Sequence, residues 1–164
     1  MGNFPPSLRD ELSSLINPEE PLLTALSNAA ALLYHSLEKI NWCGFYLYDG
    51  EKLVLGPFAG KPACTVIPMG KGVCGTAAAE QRIIRVADVK EFPGHIACDP
   101  ASQSEIVLPL VLRSGKLFGV LDIDAPIKNR FSEEDEATLA EIRDVLMNKV
   151  DAVIARTVKI DLLA

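Results

Sequence analysis

Three cysteines, Cys64, Cys74 and Cys98, are followed closely by three carboxylates, Glu105, Asp122 and Asp124, with His95 just ahead of the last cysteine. Thiols beside clustered acids suggest redox chemistry at a polar pocket. A thiolate can attack oxidised sulfur, be left as a sulfenic acid, and be resolved by a second thiol as a disulfide. The spacing Cys64-x9-Cys74-x23-Cys98 contains no C-x-x-C pair, which argues against a zinc ribbon or a thioredoxin-type site. His95-x-x-Cys98 is half of a possible metal site, without a visible second half. Ser104 stands where a phosphatase loop beginning at Cys98 would need Arg, and no G-x-S-x-G elbow is present. Cys98 lies in the most polar connector and leads into the carboxylates. Cys43 lies in an aromatic stretch, where packing is its expected role.

Glu105–Arg113 and Lys116–Ile123 read as a hairpin around Ser114-Gly115. If those are its two loop residues, Glu105 lies opposite Asp124, and Asp122 lies opposite Val107, diagonal to Glu105. Side chains alternate along a strand, so all three carboxylates share a face, with directly opposed Cβ atoms about 4.5–5.5 Å apart. Like charges so placed destabilise a sheet. Unless it is simply an exposed acidic rim at the strand ends, the cluster needs a metal ion, the ammonium group of a small ligand, or a proton on one carboxyl. A slip of one residue would turn Glu105 to the other face.

The elements that must position these groups follow from pattern. Ser7 and Asp10 resemble the start of a short helix, and Asn17-Pro18 could open the next. Leu22, Leu23, Leu26, Ala30, Leu33 and Leu37 recur at helical spacing. CGFYLY and KLVLGPF flank Asp49-Gly50, a strong hairpin signal. Trp42, Phe45 and Tyr46 cluster on its first strand, either as strand packing or as the wall of a ligand pocket. A short strand spans Thr65–Pro68. Gly70 to Gly75 matches G-x-G-x-x-G, but no βαβ unit surrounds it, so it reads as a turn into a small helix, Val73–Gln81. Arg82–Val86 is a strand, and Ala87–Pro100 a long irregular connector. A final helix begins at Ser132, with Asp135 closing a capping box. Consecutive hairpins imply a mainly antiparallel sheet with helices on one or both faces, an α+β layout.

A chain of 164 residues with 49% apolar content supports one real core. A net charge of −6 without a basic stripe argues against nucleic acid as partner. No apolar run is long enough for a membrane span, and no secretory signal is visible. Four cysteines without such a signal imply a reducing compartment, with the cytoplasm the expected location.

The segments NWCGFYLYDG, LVLGPFAGKPACTVIPMGKGVCGTA, GHIACDPASQSEIVLPL and GVLDIDAP closely resemble the free methionine-(R)-sulfoxide reductases, stand-alone GAF-domain proteins. The resemblance spans about residues 20–150. It implies a GAF-like fold with a central, mainly antiparallel sheet of about six strands flanked by helices. The divisions expected are an N-terminal helical extension at 1–20, a catalytic domain at 21–156 and a tail at 157–164. The implied activity is reduction of free L-methionine (R)-S-oxide, with thioredoxin as reductant, no metal or cofactor, and a homodimeric assembly. By the same resemblance Cys98 is the nucleophile and Cys74 the main resolving cysteine, while Cys64 can form an alternative disulfide with Cys74. Glu105, Asp122 and Asp124 hold the substrate ammonium and hydrogen-bond the sulfoxide oxygen; Trp42 and Tyr46 form the wall for the S-methyl end. Cys43 departs from the family pattern, which usually has a small or apolar residue there. Two other readings remain: a GAF-type small-molecule sensor and a thiol redox switch.

Overall fold

The computed structural model describes residues 4–96 and 98–156, so the expected tail at 157–164 lies outside the described residues. In chain order the elements are α1 (Leu8–Leu15), α2 (Leu22–Ser36), β1 (Trp42–Tyr48), β2 (Lys52–Gly60), β3 (Val66–Pro68), α3 (Gly72–Glu80), β4 (Ile84–Val86), β5 (Ser104–Val111), β6 (Leu117–Ala125) and α4 (Glu133–Arg156). A 3-10 turn at Val89–Glu91 breaks up the connector between β4 and β5. The strands form one antiparallel sheet in the order β3-β2-β1-β6-β5-β4. This is the α+β arrangement that the two hairpins imply.

Strand alternation gives the sheet two chemically distinct faces. Cys43, Phe45, Leu47, Ile106, Leu108, Leu110, Leu121 and Ile123 point to one side, where they pack with α1, α2 and α4 in the main core. Leu22, Leu26, Ala29, Ala30 and Leu33 form the buried stripe of α2, and Leu8, Leu12 and Ile16 join the same core. Trp42, Tyr46, Val107 and Val120 point the other way, toward Val73, Cys74, Ala77 and Ala78 of α3. Phe45 therefore belongs to the helical layer and not to an aromatic cluster with Trp42 and Tyr46. One-residue alternation separates it from them.

Local signals hold unevenly. Ser132 and Asp135 form a reciprocal box at the start of α4: Ser132 N donates to Asp135 Oδ2 at 3.0 Å, and Asp135 N donates to Ser132 Oγ at 3.0 Å. Ser7 makes no such cap and donates instead to Glu11 Oε1. Asn17-Pro18 does not open α2. Asn17 Oδ1 accepts the Glu19 N–H in a local turn, and the helix starts after Pro21.

The second hairpin reaches its expected register by an unexpected route. Its loop is the three residues Arg113–Gly115, closed by Leu112 N to Lys116 O at 2.9 Å and Gly115 N to Leu112 O at 2.8 Å, with Gly115 at φ 88°. That loop alone would slip the strands by one residue. A bulge restores the register, because Val111 pairs with Leu117 but Leu110 pairs with Gly119, leaving Phe118 extra. Beyond it Glu105 lies opposite Asp124, and Val107 opposite Asp122, as the carboxylate argument requires.

Candidate active site

Three adjacent strands lay out the polar floor. Across β1, β6 and β5, Trp42 pairs with Asp124 and Asp124 with Glu105; in the next row Gly44 pairs with Asp122 and Asp122 with Val107. A side chain at Gly44 has no room, since its Cβ would lie 2.8 Å from both Phe58 Cα and Trp42 Cη2. Glycine there lets Trp42 lie against the strand beside the acids.

A cleft of about 550 Å³, including its open mouth, is lined by Trp42, Tyr46, Cys74, His95, Cys98, Glu105, Asp122 and Asp124 among others. Seven of the eight expected site residues therefore face one cavity. The eighth, Cys64, is joined to Cys98 in a disulfide with a Cα–Cα distance of 5.6 Å. This pairing differs from both pairings the resemblance implied, because Cys74 remains a free thiol. The physical reason is placement. Cys64 and Cys98 are half-buried on two facing loops, between β2 and β3 and between β4 and β5. Cys74 is buried on α3 against the acids, its Sγ 3.8 Å from Glu105 Oε1. Cys43 is also free and fully enclosed in the helical-side core.

Burial dominates the electrostatics. Glu105, Asp122 and Asp124 all have pKa values raised first by desolvation and then by one another's charge; Glu105 is pushed up from 4.5 to about 8. Asp99 adds to the shift on Asp124. Burial, then Asp122, Glu105 and Asp124, push the Cys74 thiol well above its ordinary value. A thiol so held is a poor nucleophile, because the thiolate is the reactive form. His95 Nε2 lies 3.7 Å from Glu105 Oε2, and burial lowers the imidazole pKa. Asp122 Oδ1 is buried and has no hydrogen-bond partner among the described residues. Such an oxygen calls for a donor from a ligand. Ligand-type atoms of Cys74, Glu105 and Asp122 lie within 4.8 Å of one another, so the floor could face either a metal ion or an ammonium group.

The aromatic wall is a stack of three rings. Trp42 stacks on Tyr46 at 5.8 Å between centroids and on Phe58 at 5.2 Å. Phe58 was not singled out from the sequence, although a large residue opposite Gly44 in the first hairpin was the available signal. Asn41 was also missed. Its Nδ2 donates to Asp99 Oδ2 at 3.2 Å and to Ser102 Oγ at 3.0 Å. No local pattern links those distant residues.

The GAF domain family profile matches residues 21–149. The free methionine-R-sulfoxide reductase of Escherichia coli (strain K12) is 49% identical over 94% of this chain and 90% of its own. A Staphylococcus aureus fRMsr structure in complex with substrate is 50% identical, with a TM-score of 0.82, over 87% of this chain and 93% of that one. A Neisseria meningitidis free methionine-R-sulfoxide reductase, also in complex with its substrate, is 38% identical with a TM-score of 0.86, over 92% and 90%.

Proposed function

Because the chain belongs to the free methionine-R-sulfoxide reductases of the GAF-domain family, we infer that it reduces free L-methionine (R)-S-oxide to L-methionine through its own thiols. The observation that carries this reading is one cleft holding Cys98, three carboxyls with raised pKa values, and an aromatic wall. Asp122 and Asp124 take the substrate ammonium, which supplies the donor that Asp122 Oδ1 lacks. Glu105, protonated at neutral pH, donates to the sulfoxide oxygen. Trp42 and Tyr46 accept the apolar S-methyl end.

Cys98 sulfur attacks the substrate sulfur and ends as a sulfenic acid carrying the sulfoxide oxygen, while the substrate leaves as methionine. The thiolate of Cys64 then attacks Cys98 sulfur. The S–S bond forms, the S–O bond breaks, and the departing hydroxide takes a proton to leave as water. A dithiol reductant of the thioredoxin class returns both cysteines to thiols. We place the working protein in the cytoplasm as a homodimer, with residues 21–156 as its catalytic domain and 1–20 as an extension. Among the described residues no helix is long and apolar enough to cross a membrane.

The test is turnover of the separated sulfoxide epimers with thioredoxin, its reductase and a nicotinamide donor. The (R) epimer should be consumed and Cys98→Ser should be inactive. Equal turnover of both epimers, or full activity in Cys98→Ser, would overturn the assignment.

A further inference from the structure

The loops that carry Cys64 and Cys98 are each tied to the same rigid strand. β1 is paired on both edges and buried over nearly its whole length. On one side, Tyr46 Oη donates to the carbonyl of Cys64 itself at 2.9 Å, and Trp42 Nε1 donates to Lys61 O at 3.1 Å. These two bonds pin both ends of the segment that runs from Lys61 to Cys64. On the other side, Asn41, immediately before β1, donates through Nδ2 to Asp99 and Ser102, which follow Cys98 closely in sequence. Asn41 is itself fixed, its backbone N–H donating to Asp124 O at 2.9 Å. The two loops have no shared secondary structure, and their cysteines are separated by 34 positions in sequence. β1, with Asn41 just before it, is thus a common mount for two otherwise independent segments.

Resting on the reductase reading above, we propose that Asn41 and the Tyr46 hydroxyl are positioning residues for disulfide closure: they hold the Cys98 and Cys64 loops at bonding distance, so that Cys64 reaches the sulfenic acid promptly. Closure of a disulfide between two loops is governed by the effective concentration of one thiol at the other. Fixing both segments to one strand raises it by removing arrangements in which the sulfurs are apart. The Tyr46 ring faces the substrate cleft, whereas its hydroxyl serves the resolving loop. One side chain thereby links the two halves of the cycle. Asn41 does not itself line the cleft, and it acts there through the loop residues Asp99 and Ser102 that it holds.

The experiment uses the full chain and two variants, Tyr46→Phe, which keeps the ring, and Asn41→Ala. Reduced protein is equilibrated in glutathione buffers of graded potential, quenched by alkylation, and mapped by mass spectrometry for the Cys64–Cys98 disulfide. Each variant should show an effective concentration about tenfold lower than the parent, equivalent to about 1.4 kcal/mol. In a parallel single turnover with one equivalent of methionine (R)-S-oxide and no reductant, the dimedone adduct of the Cys98 sulfenic acid should form over a window about tenfold longer. Hydrogen bonds that only stabilise the fold would lower the melting temperature without moving the glutathione equilibrium, and that result in both variants overturns the proposal. Should Asn41→Ala fail to fold, Tyr46→Phe decides the question alone. If the parent protein leaves the sulfoxide unreduced, the reductase reading fails, while the glutathione equilibrium still reports on the loops.

Discussion

Replacing Glu105 with glutamine should make the protein more stable and nearly inactive, and the gain in stability should grow with pH. Glu105 is 5% exposed, faces Asp124 across the β5–β6 ladder, and lies near Cys74 and His95. Desolvation, with Asp124 second, raises its pKa from 4.5 to about 8. The sign follows from proton binding. Between those values the folded state holds a proton that the unfolded chain has lost, so the protonated carboxyl favours folding below about pH 4.5 and that contribution disappears as pH rises through 8. Glutamine has almost the same shape and never ionises. Between pH 5.5 and 8.5 the variant should therefore gain on the parent by about 3 kcal/mol, at about 1.4 kcal/mol per pH unit over the part of the window crossed. For a chain of this size that is about 6–12 °C in melting temperature. Scanning calorimetry of reduced, substrate-free protein at the two pH values measures it. Activity should move the other way. The introduced amide can still donate to an oxygen but cannot release a proton, so kcat should fall by about a hundredfold or more. A melting difference independent of pH, or a variant that loses ground at pH 8.5, would refute the assignment of Glu105 as a buried, protonated acid.

Three further outcomes follow from the same geometry. Cys64→Ser should complete one turnover and then stall, with the Cys98 sulfenic acid trapped by dimedone, whereas Cys74→Ser should still form the Cys64–Cys98 disulfide when mapped by mass spectrometry. Substrate binding at pH 7 should release about one proton, seen as a dependence of calorimetric heat on buffer ionisation enthalpy, because an ammonium group favours ionised carboxylates. KM should accordingly fall between pH 6 and pH 8. N-acetyl-methionine (R)-S-oxide, which has no ammonium, should be turned over at least a hundredfold less efficiently in kcat/KM.

Much of this was legible in the chain because strands translate sequence parity into faces. Glu105, Asp122 and Asp124 could be placed together from parity and one turn, even though the assumed turn was one residue too short. The bulge at Phe118 cancelled that error, and no composition signal announced it. The run of aromatic letters groups Phe45 with Trp42 and Tyr46, whereas strand alternation sends it to the opposite face. The cysteine pairing was not legible at all. Spacing says nothing about which of two loops folds over the sheet toward the other, and the resemblance favoured Cys74, which sits on α3 as a buried neighbour of the acids. Asn41 was hidden for the same reason: its partners Asp99 and Ser102 are close only after β1 and β6 have paired.

The two faces of the sheet explain how a small domain tolerates such a site. The buried carboxyls of Glu105 and Asp122, the half-buried one of Asp124 and a buried thiol oppose folding whenever they are charged, and Asp122 Oδ1 has no hydrogen bond among the described residues to offset that cost. They occupy one face only. The opposite face carries a continuous apolar layer from Phe45, Leu108, Leu121 and Ile123 to the buried stripes of α2 and α4. Each of the three strands that supplies the site, β1, β5 and β6, also supplies this layer through its alternate residues. The acids therefore cannot leave the cleft unless the strand also withdraws its apolar side chains from the core. That coupling also favours a free amino acid as ligand. An incoming ammonium relieves the mutual repulsion of fixed acids, while a substrate without one leaves a buried oxygen such as Asp122 Oδ1 unpaired. Sites built around a buried polar partner discriminate strongly against ligands that lack it.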